Sequence, residues 1–323
     1  LLSRRQRQMC IRDRNHPDMR EDIELDSLAD KMEPQTRFDD NELPTDFSSV
    51  KSYLICPYMY KLQSIYGYNA AVPELFGFGQ TTHTILERLH QKFKDRIPSE
   101  AEVADMVEST FMLKHVFPSN DPINRPGSYE RAKTLVHKIM NLYVKTYSSD
   151  FCRLRQDEAR FELSVEDALI TGSIDLLLKE DEKKDICSAE VIDFKSMEIP
   201  DEIEQQDWRE MSIQVQLYSK AAREVIGQNA ETGFVHTLKN NKRVEVPVDE
   251  ISVQNAVKSI EWAVKGILRQ DFPMRACESN CRHCDFKAMC KQKREPFNSS
   301  EVPPQINTPS GFKTIAALEE YEE

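Results

Sequence analysis

The chain has 323 residues, 39% of them hydrophobic and 30% charged, with a net charge of −12. That length holds one large domain or two small ones, and the balance fits a globular protein with exposed helices. No stretch approaches the roughly 18 apolar residues of a membrane span, and no apolar signal-peptide core is visible. The acidic balance counts against a protein built only to bind nucleic-acid backbones, while leaving room for an enzyme with a local basic groove. A cytoplasmic setting is therefore expected. There the eight cysteines stay reduced, and a dense cluster reads as metal-binding before disulfide-bonding.

Residues 1–14, LLSRRQRQMCIRDR, are Arg-rich without apolar periodicity and read as a sequence-assembly scar or a transit-like segment outside the fold. Residues 15–44 are acidic and contain proline, as a linker does. The folded part is expected over 45–295, followed by a Pro-containing, acidic-ended tail over 296–323.

Within that part, PTDFSSVKSYLICPYMYKLQSIYG offers Ser/Thr/Asp caps and then an aromatic-rich helix around 48–66. In GFGQTTHTILERLHQKF, Ile85, Leu86, Leu89 and Phe93 recur at helical spacing. More helices are expected over 100–150. A strand block follows, ARFELSV, ALITGSIDLLLK and SAEVIDFKS, with the charged run KEDEKKD as a turn before the last strand. Next come a helix around 208–226, two strands (GFVHTL and KRVEVPV) and a helix around 250–270. Helices, strands, a helix and strands again define a mixed α/β domain.

In AEVIDFKS, alternation puts Val191, Asp193 and Lys195 on one strand face and Ile192 and Phe194 on the other. An Asp and a Lys side by side form a surface ion pair if the strand is an edge. The apolar flanks favour the sheet interior instead, where such groups need partners. Asp175 likewise interrupts an apolar run, with Ile174, Leu176 and Leu178 expected on one face and Asp175 and Leu177 on the other. If the two strands pair, Asp175 and Asp193 converge. Two carboxylates so close repel unless a cation lies between them, and such oxygen ligands suit Mg²⁺ or Mn²⁺. Lys195 would then stand beside the metal, to orient water or neutralise charge on a phosphate.

These residues resemble the PD-(D/E)XK nuclease superfamily in its RecB-type branch. Asp175 in GSID matches the first acidic position, and Asp193-Phe194-Lys195 matches the (D/E)XK element. His83 resembles the branch's upstream metal-ligand histidine, in its Gly-x-x-x-His-x-x-Leu-Glu pattern. Gln214 and Tyr218 match its Gln-x-x-x-Tyr motif. The resemblance implies a restriction-endonuclease-like core sheet flanked by helices. It also implies a site in which His83, Asp175, Asp193 and the Phe194 carbonyl hold the metal, Lys195 assists, and Gln214 and Tyr218 position DNA. Glu190, just ahead of the strand, points the wrong way for an accessory ligand.

CESNCRHCDFKAMC places Cys277, Cys281, Cys284 and Cys290 within fourteen residues. Alone, these four, or three with His283, read as a local zinc site. A subset of the same branch carries an iron–sulfur cluster with one ligand ahead of the nuclease core and a Cys-x-x-Cys-x-x-x-x-x-Cys triplet after it. Cys281, Cys284 and Cys290 match the triplet, and Cys56, before Pro57 and an aromatic-rich stretch, matches the distant ligand. The resemblance thus implies a [4Fe–4S] cluster joining the N- and C-terminal arms, which leaves Cys277 as a bystander. Cys152 and Cys187 are expected to be ordinary buried cysteines.

The implied activity is metal-dependent hydrolysis of DNA, at ends or on single strands, in repair, recombination or phage defence. The settings are the C-terminal domain of a helicase–nuclease or a CRISPR-associated exonuclease-like protein. The chain has no phosphate-binding Gly-x-x-x-x-Gly-Lys-Ser/Thr loop, so a helicase, or a CRISPR-adaptation protein, would be a partner. The rival is a catalytically inactive DNA-binding or scaffold module with a structural zinc or iron–sulfur site.

Overall fold

The first described helix begins where the sequence provides a cap. Strand β1 (Leu43–Asp46) ends on Asp46, whose carboxylate accepts the Ser49 N–H at 2.8 Å and starts α1 (Phe47–Ile55). Such a cap is worth about 1 kcal/mol. In this computed structural model the described residues are 43–69, 72, 75–179, 188–196, 202–275, 281, 284–287, 290 and 313–315.

The helix expected over 48–66 exists but is broken at Cys56. α1 ends there, and α2 (Pro57–Tyr60) restarts with proline at its first turn before a π-turn over Lys61–Ile65. Proline disfavours helical geometry in the residue before it, so Cys56 is extended, with φ −157° and ψ 113°. α3 (Phe78–Lys92), α4 (Glu100–Thr110) and α5 (Ser128–Thr146) follow. The strands β2 (Leu154–Val165), β3 (Ala168–Lys179) and β4 (Ser188–Lys195) match the expected block. KEDEKKD falls mostly outside the described residues, but β3 and β4 on either side of it pair antiparallel. β5 (Glu202–Glu204) leads into α6 (Gln205–Ala221), then β6 (Asn229–Thr237), β7 (Lys242–Val246) and α7 (Glu250–Leu268). A short β8 (Lys313–Ile315) pairs in parallel with β5.

The main sheet runs β1-β3-β4-β6-β7, with β2 on the free edge of β3. β4 and β6 are parallel and joined through α6, a βαβ crossover. β4 therefore lies between β3 and β6, in the interior, as its apolar flanks require.

Two apolar cores lie on opposite faces of the sheet. Val50, Tyr53, Ala159, Phe161, Val191, Trp208, Leu217, Ile260 and Val264 gather on the face covered by α1, α6 and α7. Leu86, Leu89, Val136, Tyr143, Leu176, Ile192 and Phe194 gather under α3, α4 and α5. Val191 and Ile192 thus alternate as expected. Ile174 does not: it packs with Leu177, in the core opposite to Leu176 and Leu178. The period-two pattern breaks around Asp175, where strand pairing is interrupted. Cys152, expected to be buried, is exposed. It follows the short turn Ser148–Phe151, in which Phe151 takes the buried position.

A buried polar chain braces the second core. His90 Nε2 meets Tyr143 Oη at 3.0 Å, Tyr143 donates to Asp150 at 2.9 Å, and Arg243 ion-pairs with Asp150 at 2.7 Å. Arg243 Nε also donates to His236 Nδ1, at 3.2 Å, so that nitrogen carries no proton, while His236 Nε2 meets Asn241 Oδ1 at 3.0 Å. Burial and then the Arg243 charge push the His236 pKa down to about 3. The folded protein keeps this ring neutral, whereas the unfolded chain protonates it near pH 6.5. Stability should therefore fall as pH drops below about 6.5, by up to about 1.4 kcal/mol per unit. Urea unfolding at pH 7 and pH 5 should show a loss of roughly 2 kcal/mol that His236→Gln removes. An equal loss in the variant would refute the assignment.

Candidate active site

The site opens where one edge of β3 changes partner. β2 covers the other edge along its length, from Val165↔Ala168 to Leu154↔Lys179. On the open edge, β1 pairs with Ala168 to Thr171 and β4 pairs with Leu176 to Lys179. Among the described residues, 172–175 have no strand on that side. Continuing the register one step past Leu176↔Ile192 sets Asp175 against Asp193. The strands part there instead, and Asp175 Oδ2 accepts the Phe194 N–H at 2.7 Å. A carboxylate replaces the missing backbone acceptor, leaving its other oxygen for something else.

Each helix layer adds to this gap from its own side. From α3, His83 Nδ1 stands 3.7 Å from Asp175 Oδ2, with its ring edge-on to Phe194. Gly79, one turn earlier, explains how α3 comes so near: a Cβ there would lie 2.8 Å from Ser196 Oγ, just past the end of β4. From α6, Gln214 accepts a hydrogen bond from Lys195 Nζ at 2.8 Å and donates to Tyr218 Oη at 2.8 Å. Lys195 Nζ is 2.6 Å from Asp193 Oδ2. The structure therefore gathers His83 with Asp175, and Asp193 with Lys195, Gln214 and Tyr218, the two sets meeting at the Phe194 backbone. Glu190 faces away and ion-pairs with Arg153 at 2.9 Å.

Tyr218 is backed by Phe161, edge to face with centroids 5.6 Å apart, and Phe161 lies over Gly172. A Cβ at Gly172 would come within 2.6 Å of the Phe161 ring. Gly172→Ala should therefore cost about 1–3 kcal/mol by urea unfolding. Phe161→Leu in the same chain should restore part of the loss. A neutral Gly172→Ala would refute this packing account.

Burial holds the Asp193 carboxyl above the usual carboxylate range, opposed by the Lys195 charge and reinforced by Asp175. Burial also lowers the His83 pKa, but the hydrogen bond to Asp175 and the charge of Asp175 outweigh it, and the net shift is upward. Tyr218 is pushed up by burial first, then by the charge of Asp193.

A divalent metal suits this donor set. A histidine and two carboxylates supply nitrogen and hard oxygen donors. Asp193 Oδ2 is buried and lacks an aligned hydrogen bond, with only the Lys195 charge beside it. Among the described residues no three His, Cys, Asp or Glu side chains already stand close enough to hold a metal, so they would have to draw in on one.

Away from this site, Cys56, Cys281, Cys284 and Cys290 line one apolar pocket with Met59 and Met274. The break in the helix turns Cys56 toward it, and the Arg275 N–H reaches its sulfur at 3.4 Å. Burial raises the Cys56 thiol pKa against the pull of the backbone N–H groups of Arg275, Met59 and Tyr58. Cys284 is raised by burial first, and also by Cys56 and Cys281 close by. The four thiols share the pocket, but among the described residues no three of them stand close enough to hold a metal ion. Cys277, His283 and Cys187 lie outside the described residues.

Two more acidic residues lie near Asp175, and the motif reading gives neither a role, although Glu87 is the last letter of the pattern around His83. Glu87, one turn after His83, and Glu158 on β2 line a small pocket with His83, Asp175 and Phe194. Glu158 sits in RQDEARF, where nothing marks it out from its charged neighbours. Its signal was positional, in the count back from the Glu166-Asp167 turn.

A mixed sheet between two helix layers, with a carboxylate–lysine strand beside a second acidic strand, defines a restriction-endonuclease-like class. The chain belongs to the PD-(D/E)XK nuclease superfamily, whose sequence profile matches residues 47–291. No curated protein matches it. Among solved structures, it resembles a "Putative exonuclease" from Eubacterium rectale with a TM-score of 0.45 and 11% identity, over 81% of this chain and 93% of that one. It also resembles SSO0001, with a TM-score of 0.28 and 17% identity, over 64% of this chain and 96% of that one. Both TM-scores lie below 0.5, so neither structure bears on the activity. Among the described residues, no helix is long and apolar enough to cross a membrane.

Proposed function

We propose that this chain is a metal-dependent deoxyribonuclease, acting on ends or single strands. The observation that carries the reading is Asp175 bound to the Phe194 N–H, next to Asp193 ion-paired with Lys195 on the neighbouring strand. His83, Asp175, Asp193 and the Phe194 carbonyl would hold Mg²⁺ or Mn²⁺. When bound, such a metal lowers the pKa of water and offsets phosphate charge.

The residues themselves do the positioning. Asp175 is oriented by the Phe194 N–H, and Lys195 is held between Asp193 and Gln214. That leaves an ammonium able to meet negative charge on a phosphate or to orient water. Gln214 and Tyr218 would steer the strand from the α6 side.

Cys56, Cys281, Cys284 and Cys290 would hold a [4Fe–4S] cluster. A helicase, on the same polypeptide or as a partner, would supply the strand, in repair, recombination or phage defence. Anaerobically purified protein should digest labelled single-stranded DNA with Mg²⁺ or Mn²⁺ and stop with a chelator. No cleavage under any metal would sink the nuclease reading.

A further inference from the structure

A row of carboxylates crosses three neighbouring strands. From Val165↔Ala168, the β2–β3 register counts back to Glu158 opposite Asp175. From Leu176↔Ile192, the β3–β4 register counts on to Asp175 opposite Asp193. Both ladders give way at this row: Asp157↔Leu176 and Ala159↔Ile174 pair, but Glu158 and Asp175 between them do not. Like charges facing across a sheet repel, so a row of this kind does not serve stability.

Glu158 is also held in place. Its φ is 47°, a conformation that Gly or Asn adopts more readily than Glu. Ser173 Oγ donates to its carboxylate at 2.8 Å. The pocket it lines is the one that contains His83 and Asp175. On the far side of Asp175 lies the buried Asp193, whose Oδ2 is ion-paired with Lys195 Nζ at 2.6 Å. Lys195 answers Asp193 and His83 stands 3.7 Å from Asp175, whereas the Glu158 carboxylate meets a neutral hydroxyl.

We propose that Glu158 is a further metal-holding residue, which takes a divalent cation together with Asp175 on the His83 side of the sheet. The proposal rests on the nuclease reading and adds a ligand to it that the motif does not contain. The motif's acids come from β3 and β4, while Glu158 comes from β2, so the cation site extends across the hairpin.

The test is a Mn²⁺ titration of the full chain, followed by loss of the free-ion EPR signal, with melting temperatures measured without metal. Glu158→Gln and Glu158→Asn should each weaken Mn²⁺ binding at least about tenfold. Glu158→Asn should melt at or above the wild-type temperature, because Asn tolerates the positive φ and one repelling charge is gone. Rising stability with falling metal affinity is the signature of a residue kept for a ligand. Wild-type affinity in both variants, or lost affinity together with a lower melting temperature, would overturn the proposal. Asp175→Asn separates the two levels. If it loses Mn²⁺ while the Glu158 variants keep it, only the role of Glu158 falls. If the wild type itself binds no Mn²⁺, the metal-dependent reading falls with it.

Discussion

Lys195→Met is expected to cut metal-dependent cleavage by on the order of 10²–10³-fold, the loss seen when one charge-stabilising group is removed from a transition state. The geometry gives this lysine two tasks. Its ammonium is the charge partner of Asp193, 2.6 Å away, and it is aimed by Gln214 at 2.8 Å. Asp193 is buried, and burial already favours its protonated form. Without Lys195, that carboxyl loses the group that best offsets its burial and becomes a poorer ligand. The variant therefore loses the cation that would meet the phosphate and weakens the adjacent ligand in one step. Lys195→Arg should recover little, because a planar guanidinium does not replace a compact ammonium between Asp193 and Gln214.

Gln214→Ala probes the aim alone. It keeps both charges and should cost less than Lys195→Met. The measurement is single-turnover cleavage of labelled single-stranded DNA under saturating Mn²⁺, with far-UV circular dichroism to show that each variant folds. Wild-type cleavage by Lys195→Met would remove Lys195 from the chemistry.

How much of this site was legible in the sequence follows from what motifs record. Residue type and order named His83, Asp175, Asp193, Lys195, Gln214 and Tyr218, and in the structure they form two sets, His83 with Asp175 and Asp193 with Lys195, Gln214 and Tyr218, on either side of the Phe194 backbone. Alternation placed Asp193 and Ile192 on opposite faces because β4 is paired on both sides and keeps its pleat. Alternation failed at Ile174, because it assumes an unbroken ladder and the ladder breaks at Asp175 beside it. A site that needs its strands to part will mislead a rule that assumes they do not. Glu158 was missed for a related reason: it matters through register, which depends on the two-residue turn at Glu166-Asp167. Gly79 and Gly172 were legible as letters but not as reasons. Only the packing shows that one lets α3 approach the end of β4 and the other leaves room for Phe161.

On the cluster proposed above, Cys56→Ser should empty the thiol pocket of metal while leaving the nuclease sheet folded. Of the four cysteines lining that pocket, Cys56 alone comes from the N-terminal side of the core. A metal group shared between Cys56 and the triplet closes a loop of more than two hundred residues. Opening a cross-link of that span costs roughly 2–5 kcal/mol, on the order of 10 °C in melting temperature for a domain of this size.

Collapse is not expected, because the two arms also hold each other without metal. Tyr53 donates to the Asp271 carbonyl at 2.6 Å, Arg275 donates to the Leu54 carbonyl at 2.8 Å, and Phe272 packs on Tyr53 and Tyr60. Among the described residues these direct contacts run as far as Arg275, and beyond it Phe286 and the later cysteines meet the N-terminal arm across the thiol pocket. Loss of the metal should therefore loosen the chain beyond 275 before it loosens the sheet. In limited proteolysis, Cys56→Ser should be cut first in that segment, with the core persisting. Metal analysis of the anaerobically purified wild type distinguishes the occupants. About four irons and four sulfides, absent from the variant, are expected for the cluster. A single zinc that survives Cys56→Ser would place the metal on the C-terminal cysteines alone and end the case for a clamp between the arms.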